Sequence, residues 1–147
     1  MGAVYDFMRE ILYVSNKDFA YMTRPNWDDG KDIKLPRVEN ILSMQSIILD
    51  SDDKYTTFLK DQSLKNGSGS VALQMAQLAS GNIQGLIFKP RESDDMSNIC
   101  DIAAGYHIMK KSGIIVKDYD LNEFDYKKPG KGLVAGTKSF MDLLKHS

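Results

Sequence analysis

The chain has 147 residues, 42% apolar and 27% charged, with a formal net charge of −1. That fits one ordinary soluble domain with a real core, and it excludes both a disordered chain and a global basic field for nucleic acid or acidic membranes. A single cysteine, Cys100, excludes an intrachain disulfide framework and a multi-cysteine metal centre, and the two histidines, His107 and His146, fit no zinc spacing.

No apolar run approaches the roughly 20 residues of a membrane-spanning helix. The first residues also lack the basic-then-apolar order of a secretory signal, so a cytoplasmic location is expected. In chain order, "GAVYDF" (2–7), "EILYVSN" (10–16) and "FAYMTR" (19–24) read as short strands of an antiparallel meander. Residues 25–36, "PNWDDGKDIKLP", carry turn chemistry and read as a connector. The expected division is therefore 1–36, strands plus connector, and 37–147, a C-terminal α/β domain. "SMQSIILD" (43–50) ends as a buried strand, and "SDDKYTTFLKDQ" (51–62) spaces Tyr55, Phe58 and Leu59 as a helical stripe.

The spacing of Val71, Met75 and Leu78 predicts a helix within 67–81 that Gly81 stops. "NIQGLIF" (82–88) reads as a strand and 89–98 as a polar loop. A second helix is expected to open at Asp101, with Ile102, Tyr106 and Met109 on one face and Gly113 as its left-handed cap. "IIV" (114–116) is the next strand, 119–132 is charged and turn-rich, and "LVAG" leads to a last helix over 137–145 with Phe140, Leu143 and Leu144 on one side. Strands alternating with helices predict an α/β class with a mostly parallel sheet.

Two helix starts carry the chemistry. "NGSGS" (66–70) feeds a helix whose free N–H groups and dipole favour an anion or a hydroxyl-rich ligand on Gly67, Ser68, Gly69 and Ser70; the plainer reading is that a serine caps the helix. Asp101 at a helix mouth fits a cap and also an ionised ligand for a hard cation, and spacing does not separate the two. Ala103, Ala104 and Gly105 fit close helix packing or room for a ligand. Cys100 has no histidine placed to activate it and reads as a buried structural cysteine. His107 reads as packing or surface, and the acidic loop at Glu92 and Asp94 as a solvated loop able to reach a cation or ligand hydroxyls.

"DIAAGYHIMKKSGIIVKD" (101–118) resembles the C-terminal signature of the inositol monophosphatase family. "GSGSVALQMAQLASGNIQGLIF" resembles the family's preceding helix and strand, "GAVYDFMREILYVSN" its hairpin, and "VAGTKSFMDLL" its last strand and helix. The resemblance runs the length of the chain in order. It implies the C-terminal α/β layer of the inositol monophosphatase-like sugar phosphatase fold, preceded by a short strand meander. It also implies a Mg²⁺-dependent phosphatase, with Asp101 as a metal ligand and Gly67, Ser68, Gly69 and Asp94 as substrate contacts. The expected partners are a small phosphorylated substrate (inositol phosphate, sugar phosphate or nucleotide) and a second copy in a homodimer.

The acidic segments that carry the family's other metal ligands and activate its water do not occur here. The chain is thus expected to be a C-terminal part with no catalytic residue of its own, inactive alone. Three departures bear on substrate: Cys100 stands where the signature has Trp, Ser70 where it has Ala, and Leu64 where Arg is common. They leave open a divergent, non-catalytic ligand-binding or dimerisation module, and a stand-alone nucleotide-binding domain.

Overall fold

In the strand Ile11–Ser15 (β2), Ile11, Tyr13 and Ser15 are buried while Leu12 and Val14 between them are half-buried. This period of two is what one covered sheet face produces. The computed structural model describes residues 1–24, 32–35, 46–49, 55, 59, 63–66, 69–90 and 96–145. β2 sits between Gly2–Asp6 (β1) and Ala20–Thr23 (β3), and Ile33–Leu35 (β4) pairs with β3, all antiparallel.

The expected meander is therefore present, with one strand more. Residues 33–35 belong to the sheet, not to a connector. Turn residues dominate the composition of 25–36, but Leu35 is buried opposite Ala20 and closes the core at that end.

The second sheet has the order Ser63–Asn66 (β6), Ser46–Leu49 (β5), Gly85–Phe88 (β7), Leu133–Gly136 (β9), Ile115–Lys117 (β8). β5 pairs in parallel with β6 and β7, and β9 alone runs against the rest. Two of the sheet's four pairings are parallel and two antiparallel, so it is mixed and not mostly parallel as expected: β9 enters between β7 and β8 in the opposite direction. β6 was not expected: "SLKN" has no apolar alternation, and it joins the sheet edge through parallel main-chain pairing with β5.

Three helices, Val71–Ala79 (α1), Met96–Lys111 (α2) and Lys138–Lys145 (α3), complete the described structure. α1 and α2 pack on each other and lie between the sheets. Met75, Leu78, Ile108 and Met109 meet Tyr13 and Leu35 of the first sheet and Leu86 and Ala135 of the second. On the far face of the second sheet, Ile87 and Val134 pack with Tyr55, Leu59, Phe140 and Leu144. The register Leu86↔Ala135 and Ile87↔Val134 explains the split, since successive side chains on paired strands go to opposite faces together.

Of the helix expected within 51–62, only Tyr55 and Leu59 lie among the described residues; there the Leu59 N–H donates to the Tyr55 carbonyl at 3.2 Å.

α1 and α2 end by the same device. After α1, Ser80 Oγ donates to the Gln77 carbonyl, Gly81 takes φ +78°, and the Asn82 N–H returns to Gln77 at 2.9 Å. After α2, Ser112 Oγ donates to the Met109 carbonyl, Gly113 takes φ +81°, and the Ile114 N–H returns to Met109 at 3.0 Å. A left-handed glycine lets the chain turn back and satisfy carbonyls that the helix leaves open.

α3 departs from the expected face. Phe140, Met141 and Leu144 are buried, whereas Leu143 is 49% exposed. Thr137 caps the helix, with its Oγ1 accepting the Phe140 N–H at 3.4 Å, and this start turns Met141 rather than Leu143 toward the sheet.

Candidate functional site

Small residues let α2 lie close to its neighbours. A Cβ on Gly105 would stand 2.7 Å from Met75 Cβ and 3.2 Å from the Ala72 carbonyl oxygen. A Cβ on Gly2 would stand 2.7 Å from the Ala104 carbonyl oxygen. Of the two readings open for the 103–105 stripe, close packing holds for Ala104 and Gly105. The Gly105 contact also sets the turn of α2 that follows Asp101 alongside the start of α1. The two helix starts singled out from sequence thus belong to adjoining elements.

Asp101 does not open its helix. α2 begins at Met96, and Asp101 is its sixth residue. Nothing in "MSNIC" breaks a helix, so the element extends backward past the expected start. At that depth the backbone N–H groups are engaged within the helix and the end dipole has faded, so a capping role is excluded.

Ser70 does cap α1: its Oγ accepts the Leu73 N–H at 3.4 Å, with φ −72° and ψ 118°. Gly69 is exposed with φ +95°, a left-handed conformation natural to glycine. Gly67, Ser68, Glu92 and Asp94 lie outside the described residues.

Cys100 is exposed, which corrects the expectation of a buried cysteine. The buried face of α2 is formed by Ile102, Gly105, Ile108 and Met109, and Cys100 lies off that stripe. It faces a cleft of about 550 Å³ between α2 and the start of β1. Ala103, Ala104 and His107 line the cleft from the helix side, and Met1 to Ala3 from the strand side. Tyr106 and Tyr126 close one end, their rings stacked at 5.7 Å.

His107 is tied across the cleft floor. Its Nδ1 lies 2.8 Å from the Oγ of buried Ser15, which also accepts the Gly2 N–H at 3.2 Å. Burial, helped by the chain's amino terminus and Lys111, holds the imidazole below its ordinary pKa. Burial likewise pushes the Tyr106 phenol up, with Glu123, Tyr126 and Asp125 adding to the shift. Sequence reasoning missed this cleft because its walls are about a hundred residues apart and no local motif joins them.

The whole chain, residues 1–147, matches the model of the inositol monophosphatase family. The chain belongs to that family. Its fold is that of inositol monophosphatases as well. One such structure is a hypothetical protein, PH1897, from Pyrococcus horikoshii with similarities for inositol-1 monophosphatase; it is 22% identical with a TM-score of 0.70, over 99% of this chain and 55% of that one. Inositol monophosphatase II from Staphylococcus aureus MSSA476 is 15% identical with a TM-score of 0.70, over 97% and 52%. SaIMPase-II described as inositol monophosphate bound is 20% identical with a TM-score of 0.64, over 97% and 54%. A search of curated protein sequences gives no match. The chain therefore spans about half the length of the inositol monophosphatase structures it resembles.

The family is generally metal-dependent, and the residues present bear on whether a metal site is built here. Among the described residues, no group of three or more His, Cys, Asp or Glu side chains is placed to hold a metal ion. Magnesium requires near-octahedral oxygen coordination. The Asp101 side chain, the expected metal ligand, lies outside what the structure describes.

Proposed function

We propose that this chain is the C-terminal part of a magnesium-dependent phosphate monoester hydrolase of the inositol monophosphatase family. In that reading Asp101 supplies one metal ligand, and the backbone at Gly67, Ser68 and Gly69, with Asp94, meets a small phosphorylated substrate such as an inositol phosphate, sugar phosphate or nucleotide. The carrying observation is the family match over residues 1–147 in a chain that covers only 52–55% of the matched structures. The inositol monophosphate bound to one of those neighbours supports the substrate class.

When bound, the cation would lower the pKa of the attacking water and stabilise the leaving oxygen. What the chain's own residues would contribute is Asp101 on α2 as one cation ligand and the glycine-bearing start of α1 as an anion contact. Without the family's acidic segments, the 147-residue chain alone hydrolyses nothing. It works in the cytoplasm as part of a homodimer.

The test is hydrolysis of inositol monophosphate by the isolated chain, with and without Mg²⁺. No turnover is expected. Magnesium-dependent turnover that Asp101→Asn abolishes would show that the chain suffices and that this reading is wrong.

Cys100 favours a second reading. An exposed thiol stands where the signature has a large indole, at the wall of the cleft. A non-catalytic ligand-binding or dimerisation module would tolerate that change. It predicts that Cys100→Trp changes ligand affinity or self-association and confers no activity, even beside the acidic segments of a relative.

A further inference from the structure

A net charge of −1 excludes a global basic field but does not fix where the charges lie. In the segment between β8 and β9, "YKKPGK" (126–131) sets Lys127, Lys128 and Lys131 close together, and all three are exposed. None of their ammonium groups pairs with a carboxylate among the described residues. Exposed lysines on a loop are ordinary by themselves. The ring beside these makes the difference.

Tyr126 stacks on Tyr106 of α2, with centroids 5.7 Å apart and planes only 23° apart. Tyr106 in turn meets the buried ring of Phe124 at 5.5 Å. The inner end of the stack is thus anchored in the core, while Tyr126, the outer ring, is 42% exposed. A ring covered on one face by its neighbour leaves the other face to solvent. Offset stacking of this kind can continue onto another planar ring.

The lysines are held beside that ring by a folded main chain. Asp125 Oδ1 accepts the Lys127 N–H at 3.0 Å, and the Asp125 carbonyl accepts the Lys128 N–H at 2.9 Å. The Lys128 carbonyl accepts the Lys131 N–H at 3.3 Å. Gly132, at φ +74°, then passes so close to β7 that a Cβ would stand 2.6 Å from the Phe88 carbonyl oxygen. Two successive turns and this contact fix the backbone of the lysines, so binding has little loop entropy to overcome. Lys110, exposed one helical turn beyond Tyr106, adds a further positive charge on α2.

We propose that the Tyr126 ring and the lysines at 127, 128 and 131 form a docking site for single-stranded nucleic acid, with a base stacked on the open face of Tyr126 and the neighbouring phosphates on the lysines. Aromatic faces beside cations are what an unpaired strand can use, whereas a duplex hides its base faces. An anionic lipid surface would also attract the lysines, but it takes a tyrosine by its phenol end rather than by a ring laid flat on its neighbour. Negative charge sets the direction of the strand. Besides burial, the carboxylates of Glu123 and Asp125 help to raise the Tyr106 pKa, so phosphates are repelled from the inner ring and favoured on the lysine side. The site is independent of the phosphatase reading, because none of its residues belongs to the metal and substrate contacts proposed above.

The experiment follows the fluorescence anisotropy of a labelled oligothymidine, about twelve nucleotides long, as the 147-residue chain is added. Binding is expected at about 50 mM salt, and log K should fall against log salt with a slope near −2, the counterions released by about three lysines. Lys127→Gln combined with Lys128→Gln should flatten that slope by about 1.4 and leave the melting curve in place, since both side chains are exposed. Tyr126→Leu keeps apolar bulk against Tyr106 but offers no aromatic face, and it should weaken binding about tenfold, whereas Tyr126→Phe retains it. Glu123→Gln should tighten it. Three results overturn the site: no binding at about 50 mM salt, binding indifferent to Tyr126→Leu, or a duplex of the same length bound as tightly as the single strand. Capture of the chain by phosphatidylserine vesicles without any oligonucleotide binding would also overturn it, and would assign the lysines to a lipid surface.

Discussion

His107 shows how one residue couples a helix to a strand and makes stability depend on pH. Its bond to Ser15 fastens α2 to β2, and burial disfavours its charged form. The unfolded chain therefore binds a proton at a higher pH than the folded one. Stability is complete above the unfolded value, about 6.5, and is lost as the pH falls through that value toward the lower folded one. A denaturant midpoint measured from pH 7.5 down to 5.5 should decline, and His107→Gln should flatten the decline across that window. A midpoint that falls equally in the variant would remove His107 as the cause. A second residue-scale effect sits in the β1–β2 turn, where Glu10 holds φ 53°, a conformation costly for a residue with a Cβ. Glu10→Gly should leave stability unchanged or raise it by up to about 1 kcal/mol, read as a shift in melting temperature.

At the scale of elements, the second sheet meets α3 through a pair of glycines. Gly85 and Gly136 are register partners on β7 and β9, and both lie under the Phe140 ring. A Cβ on Gly85 would stand 2.4 Å from Phe140 Cζ. Gly85→Ala should cost about 1–3 kcal/mol by overpacking. Because the three nearest obstacles all belong to Phe140, the double variant with Phe140→Leu should cost less than the sum of the two single changes. Additive costs would mean that the ring is not the obstacle. These contacts also show what the sequence could reveal. The helix stripes, the glycine stops at 81 and 113 and the first three strands were legible because each is encoded locally, by periodicity or by a left-handed turn. The start of α2, strands β4 and β6 and the turn of α3 that exposes Leu143 were not, since tertiary pairing settles them. The candidate site was least legible. Motif resemblance picked out Asp101, but the cleft that joins residues 1–3 to Cys100 and His107 has no local signature.

For the whole molecule, the question is how much of a phosphatase one such chain amounts to. Two sheets enclose a shared helical layer, and Tyr13, Met75, Leu78 and Ile108 in it are fully buried. The fold therefore has a core that does not wait for metal. A ligand that binds only the folded state stabilises it by RT ln(1 + [L]/Kd), which is about 0.4 kcal/mol when its concentration equals Kd and about 2.7 kcal/mol at a hundredfold excess. A complete magnesium site, saturated at about 5 mM, would raise the melting temperature of a chain this size by several degrees. A single carboxylate leaves most of the octahedral shell to water and binds too weakly for that. The melting temperature of the 147-residue chain should therefore stay within about 1 °C on adding about 5 mM Mg²⁺. Asp101→Asn should shift the melting curves with and without Mg²⁺ equally. A rise of several degrees that Asp101→Asn removes would mean that this chain gathers the remaining ligands from its own residues, and that the acidic segments are not needed to hold the ion.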